Sequence, residues 1–474
     1  MVVVIGFVEM VRVTGYRSQL VIFVSMAVFN HQAIIKVVIS VNKQLSGVST
    51  TQTAEAVQVN EPLNTGHLND LLRQQLRPVK SKQAPKNVNA PLPAEVQQKN
   101  LLSIVDESVG SMLGESKLNR VVLHEQLSKL YYQQKFIYEQ ADISPALRKR
   151  QFIAQSGLIM SPDNCITTQL DDLRVNAFVR GIDQALSHKF TSHQGPLHIV
   201  YPACGPFAPL LLPLIAYYKT QQKYTPQQLQ ITLIDLQEGA VKSLEALVET
   251  MGIKDYVRGV LCIDALAYWP DALAVDMVIL EAMQHGLSSE GQFCIARHFA
   301  RLLSPQGCFI PQKISVRAML NSAQKEFVEQ WKNSEYLSEL DMDPAIKSAR
   351  IDLGEIVSLT AESLLTLPEH VLDEHTRLIE CGKATIPMLP EKCAEQSLLL
   401  CSQIDVYGDI RIGEYDSGIT HPLPDPQVCI NFIPRENRPG DLLLNSGDTI
   451  HFFYRLNGLP GFLATCYEGE VSHD

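Results

Sequence analysis

A chain of 474 residues is longer than one hydrophobic core usually organises, so more than one folded unit is expected. With 46% hydrophobic and 19% charged residues and 26 each of Gly and Pro, the composition excludes a fibrous or wholly disordered protein. The formal net charge of -11 argues against a nucleic-acid partner, whose phosphates need clustered Lys and Arg, and leans toward cationic ones.

Residues 1–43 carry apolar patches, Val2 to Ile5, Leu20 to Phe29 and Ala33 to Val41, interrupted by Glu9, Arg12, Arg17, His31 and Lys36. No window offers the roughly 18 uninterrupted apolar residues of a spanning helix. The Leu20 to Phe29 patch is short and late for a signal peptide. We therefore expect an apolar extension with no membrane segment. The ten cysteines are scattered without CxxC pairs, the pattern of reduced thiols in a cytoplasmic protein rather than of a disulfide framework or a metal site. Residues 44–100 turn to Gln, Asn, Ser, Thr, Pro and Lys without periodicity, which reads as a polar linker. Over residues 101–160 apolar side chains recur at three and four spacings, as in Val121, Val122, Leu127, Leu130 and Tyr131, and predict amphipathic helices.

Residues 161–320 have another rhythm, short apolar runs separated by helical stretches. His198 to Tyr201, Gln230 to Ile234, Val257 to Ile263, Asp276 to Leu280 and Cys308 to Pro311 read as strands. Pro209 to Lys219, Glu238 to Met251 and Gly291 to Leu303 read as helices. Such alternation predicts an α/β fold, a mostly parallel Rossmann-like sheet with ligands at the carboxyl ends of its strands. Residues 321–474 hold strand-like runs at Leu398 to Tyr407, Val428 to Ile433, Leu442 to Leu444 and Ile450 to Tyr454, a β-rich second domain.

The loops after the strands are where chemistry is expected. Tyr201-Pro-Ala203-Cys-Gly205-Pro-Phe207 joins strand to helix with small residues at Ala203 and Gly205, so backbone N–H groups can approach a ligand. Asp235 ends the next strand, where an acid accepts the ribose hydroxyls of a nucleotide-like cofactor or caps the helix that follows. Asp264 follows the third strand, within reach of an adenine amine, or serves as a loop cap. After the fourth strand, Glu281 and Glu290 flank a loop nine residues apart. A hairpin there would let both carboxylates converge on one cation, and a planar guanidinium accepts such paired, charge-assisted bonds.

Together Ala203 to Phe207, Asp235, Asp264 and the Glu281 to Glu290 loop resemble the protein arginine methyltransferase family with its double-glutamate loop. Asp171-Asp172-Leu173-Arg174 resembles that family's Asp-x-x-Arg helix, Leu302 to Pro311 its run into the last sheet strands, and Thr420-His421-Pro422 its Thr-His-Trp loop, with Pro422 in place of tryptophan. The resemblance spans about residues 160–474. It implies a class I methyltransferase sheet followed by a β-barrel-like domain, with S-adenosyl-L-methionine as cofactor. It also implies a guanidino-bearing protein, peptide or small-molecule acceptor, and a homodimer. By the same resemblance Arg174 meets the cofactor carboxylate, while Ala203, Gly205, Asp235 and Asp264 hold the rest of the cofactor. Glu281 and Glu290 hold the guanidinium, and His421 paired with Asp171 carries away its proton. A small-metabolite methyltransferase, a non-catalytic scaffold of the same fold and a nicotinamide dehydrogenase are the other readings. Without a full G-x-G-x-x-G, the last has the least in its favour.

Overall fold

The computed structural model describes residues 93–114, 119–192, 195–271, 273–327, 329, 343–389, 396–430 and 440–466, together with the backbone of four strands near the N-terminus. The chain divides into two compact units, Met1–Ala90 and Pro91–Asp474. In the first, β1 (Val11–Gly15), β2 (Ser18–Phe29), β3 (Gln32–Asn42) and β4 (Val57–Val59) pair antiparallel in that order. The apolar extension expected over residues 1–43 thus folds its second and third patches into adjacent strands. Val2 to Ile5 and most of the polar stretch 44–100 lie outside the described residues.

In the second unit the helix Ala94–Leu113 begins inside the stretch expected to be linker. Its first turn is exposed and its apolar face starts only at Leu101, so the hydrophobic pattern could not mark its start. The helix Arg120–Gln140 follows, its first turn capped by the Asn119 carboxamide, which accepts from the N–H groups of Val121 and Val122. Two three-residue strands, β5 (Phe152–Ala154) and β6 (Gly157–Ile159), form a small hairpin. The helix Asp172–Ser192 then leads into the sheet.

That sheet consists of β7 (Leu197–Pro202), β8 (Leu229–Asp235), β9 (Val257–Cys262), β10 (Val275–Ile279) and β11 (Leu303–Ile310). Its spatial order is β11-β10-β7-β8-β9 and every pairing is parallel. Every residue of β7 and β10 is buried, including the polar His198 and Asp276, which satisfy each other as the His198 N–H donates to Asp276 Oδ2 at 3.0 Å. The chain reverses direction across the sheet between β7 and β10, the switch point where such sheets open a crevice at their carboxyl ends. The predicted helix Glu238 to Met251 is observed with those bounds and stops at Gly252, whose φ of 65° gives the left-handed C-terminal turn.

Beyond Ile310 the described chain is mostly antiparallel. One sheet runs β13 (Ile351–Leu359), β12 (Lys313–Ser322), β16 (Gln396–Tyr407), β17 (Ile410–Ile412), with β18 (Leu423–Asp425) also on β16. Another runs β14 (Glu369–Asp373), β15 (Thr376–Thr385), β21 (Thr449–Arg455), β22 (Gly461–Cys466). A short parallel pair joins β19 (Val428–Ile430) to β20 (Leu442–Leu444). The expected strand Val428 to Ile433 is seen as far as Ile430, its last residues lying outside those described. Among the described residues the main apolar core of the unit extends from Leu101 and Leu127 through Ile199 and Val278 to Ile404 and Phe452. Each such side chain, fully buried, contributes about 1.5–3 kcal/mol. No helix among the described residues is long and apolar enough to cross a membrane.

Candidate functional site

At the carboxyl ends of β7, β8 and β9 lies a cleft open to solvent, lined mainly by apolar side chains with a few convergent polar groups, the make-up of a small-ligand site. Ala203, Gly205, Asp235, Asp264 and Glu290 all line it, so five of the nine expected site residues meet at one cleft. Ala203 adopts φ 51° and Gly205 φ 66°, and this double left-handed turn lets the backbone fold back at the end of β7. Asp235 closes the turn: its Oδ2 accepts from the Gly205 N–H at 2.9 Å and its Oδ1 from the Gln237 N–H at 2.8 Å. Burial nonetheless pushes its carboxyl up to about 6, against those two bonds. Asp264 caps the turn Ala265–Ala267 through the Leu266 N–H at 2.9 Å while facing the cleft, so cap and cleft positions coincide.

Beside the cleft is a buried ionic group. Arg174 Nη1 donates to Glu281 Oε2 at 3.0 Å and its Nη2 lies 3.1 Å from Asp171 Oδ2. These side chains are 11%, 7% and 17% exposed, so the single guanidinium neutralises one carboxylate and shares a second out of water. Asp171 Oδ2 also accepts from Ser417 Oγ at 2.6 Å. The Ser417 hydroxyl in turn sits in a capping box with Thr420, which delivers His421 to this side of the site. Burial and then His285 push the His421 imidazole down to about 4, with Asp171 opposing, so the ring is neutral at pH 7.

The two glutamates are in unequal environments. Burial raises the Glu281 carboxyl above its ordinary value, with the ion-paired Arg174 the largest influence opposing it. Glu290 is raised to about 7, first by burial and then by the charge of Glu281, with Gln284 and Arg174 opposing. A carboxyl near 7 is half protonated at neutral pH and can exchange a proton with a bound group.

The loop carrying them is held from three directions. Leu158 N–H on β6 donates to Ser289 O at 2.7 Å, the Ser289 N–H to Pro460 O at 2.8 Å, and Tyr454 Oη to Leu287 O at 2.6 Å. The loop contains three left-handed residues, Gly286, Leu287 and Ser289. Gly157 has φ 140°, and a Cβ there would stand 2.9 Å from the Glu290 carbonyl carbon and from Ser289 O. Gly157→Ala is expected to destabilise the protein by roughly 2–4 kcal/mol, combining forced backbone strain with overpacking. A denaturant midpoint unchanged from the parent would refute this account of the hairpin.

Several contributors gave no sequence signal. Leu158, Met160 and Cys165 also line the cleft, brought there by the hairpin and the helix Pro162–Cys165, whose elements are too short for periodicity. The serine at 417 could have been noticed, since Ser-x-x-Thr before His421 is the spacing of a cap.

No family model matches the chain, and no curated protein does. Solved structures do match. One described as the Trypanosoma brucei PRMT1 enzyme-prozyme heterotetrameric complex with AdoHcy is 14% identical, over 64% of this chain and 91% of that one, with a TM-score of 0.34.

Proposed function

We propose that the protein transfers a methyl group from S-adenosyl-L-methionine to a guanidinium nitrogen, with arginine in a protein or peptide as acceptor. One juxtaposition supports this most. Glu290 belongs at once to the lining of the cleft at the sheet's carboxyl edge and, with Glu281, to a carboxylate pair beside it.

The cleft residues fit the cofactor. Each Asp235 oxygen accepts one amide N–H and keeps a second lone pair for a ribose hydroxyl. Ile234, Ile263 and Ile295 offer apolar walls for the adenine, with Asp264 at its rim for the exocyclic amine. Arg174, whose Nε makes no hydrogen bond among the described residues, would take the cofactor carboxylate. Bound there, the cofactor supplies an electrophilic methyl whose thioether leaving group needs no acid.

The protein's own task is then to present a nitrogen. Glu281 and Glu290 orient a planar guanidinium by paired charge-assisted bonds, which concentrates the gain in positioning and electrostatics. A protonated guanidinium is a poor nucleophile, so a proton must leave it. Glu290, titrating near neutrality, is the first acceptor in reach, and neutral His421 with Asp171 the next. In this reading residues 161–320 are the cofactor domain, residues 101–160 its cap, helical except for the hairpin Phe152–Ile159 that replaces the expected helix there, and the two antiparallel sheets of residues 321–474 the walls of a barrel-like domain behind the glutamate loop. A second copy of the chain is the expected partner.

Calorimetric titration with S-adenosyl-L-methionine and S-adenosyl-L-homocysteine tests the reading. Binding in the micromolar range, weakened at least about a hundredfold in Asp235→Ala, is expected, since the substitution removes both the turn's brace and the hydroxyl acceptor. Arginine peptides and free guanidino compounds would then be screened as acceptors. No binding by the folded parent protein would overturn the proposal and favour a scaffold.

A further inference from the structure

Strand β10 ends at Ile279, and its pairing with β11 carries on one residue further, where the Leu280 N–H donates to Ile310 O at 2.9 Å. The next backbone groups go to a side chain. Gln292 Nε2 donates to Leu280 O at 3.2 Å, and Gln292 Oε1 accepts from the Ala282 N–H at 2.8 Å. A carbonyl only accepts and an amide N–H only donates, so the carboxamide has one orientation that satisfies both. It imitates a peptide group of an adjacent strand and ties down the backbone of residues 280–282. Glu281 lies between the two bonded peptides. Gln292 is only 2% exposed and is the first residue of the helix Gln292–Ala300, two residues after Glu290.

We propose that Gln292 is a positioning residue that fixes the two glutamates relative to one another. Its side chain grips the backbone on both sides of Glu281 while it follows Glu290 by two residues in the chain, so the loop between the glutamates is closed by one amide as well as by its ends. Glu281 is thereby held toward Arg174, and its carboxylate stays near enough to Glu290 to act on its proton. The catalytic consequence rests on the methyltransferase reading; the geometric one does not.

Two variants separate them. Gln292→Met keeps the volume and removes both hydrogen bonds, whereas Gln292→Glu keeps both only while protonated, since an ionised carboxylate cannot donate to Leu280 O. In Gln292→Met, amide hydrogen exchange over residues 280–290 is expected to quicken at least about tenfold, with other segments unchanged. Affinity for S-adenosyl-L-methionine stays within about threefold, while kcat on an arginine peptide falls about ten- to a hundredfold, as for a misplaced reacting group. Burial raises the carboxyl of Gln292→Glu, so its activity relative to the parent rises as pH falls. The Gln292→Met ratio stays flat.

Unchanged exchange over 280–290, or turnover within about twofold of the parent, would overturn the proposal. So would a loss of cofactor binding, exchange protection and turnover in common proportion, which marks a merely structural residue. A parent protein that binds no cofactor sinks the functional reading instead, and the exchange experiment still decides the brace.

Discussion

Glu290→Gln is expected to cut methyl transfer at least about a hundredfold and, above pH 7, to make the protein more stable. The two effects share one cause. In the folded protein this carboxyl titrates near 7, against 4.5 for the ordinary group, because it is removed from water beside the Glu281 charge. A folded value raised in this way means that the native state holds the proton more tightly than the unfolded chain. The stabilisation it brings is complete below pH 4.5, declines through the interval to 7 and is gone above it. An amide never has to ionise. The variant should therefore match the parent at pH 4 and exceed it by about 2 kcal/mol at pH 8, a figure set below the full linkage value because the side chain keeps some solvent contact. Denaturant unfolding at the two pH values reads this directly. A variant less stable than the parent at pH 8 would show that Glu290 is held by a cation the geometry does not provide.

Glu281→Gln should behave in the opposite way. This carboxylate is the 3.0 Å partner of Arg174, and both side chains are almost wholly buried. Removing it leaves the guanidinium with Asp171 alone, and an undercompensated charge in the interior costs about 3 kcal/mol, the low end for a broken buried pair because one partner survives. Transfer is expected to be lost as completely as in the first variant. A second signature follows from the neighbour: with Glu281 neutral, the Glu290 carboxyl drops toward its ordinary value, and any acidic limb that it gives to a pH profile moves to lower pH. Equal stability changes in the two variants would refute the unequal environments described for the two glutamates.

That inequality was not legible in the sequence, where two acids at a nine-residue spacing look interchangeable. What distinguishes them is Arg174, 107 positions earlier than Glu281, and chain separation of that size leaves no local pattern. The parallel sheet was legible because strands such as Leu197–Pro202 are buried on both faces and are apolar but for His198, whose backbone and ring are both hydrogen-bonded. Asp235 and Gly205 were legible for a related reason: the end of a buried strand is a place where polarity has to be explained. The hairpin Phe152–Ile159 was missed, since its strands are three residues long and its decisive residue, Gly157, matters for the side chain it lacks. The resemblance implied that Asp171 serves His421. The structure adds Ser417, 246 residues from Asp171, as the hydroxyl that donates to it. Helix Ala94–Leu113 started in an apparent linker because its first turn faces solvent and needs no apolar residues.

The glutamate loop takes its anchors from residue 158, ahead of the sheet, and from Tyr454 and Pro460, nearly 170 positions beyond the loop itself. A growing polypeptide emerges from its N-terminal side and folds domain by domain. The cleft can therefore take shape while the last strands are still being made, but the loop stays without two of its supports until residue 460 has left the ribosome. Reactivity in this protein is thus among the last properties the nascent chain acquires, and a chain cut short anywhere before that residue would carry the cleft without a fixed pair of acids beside it.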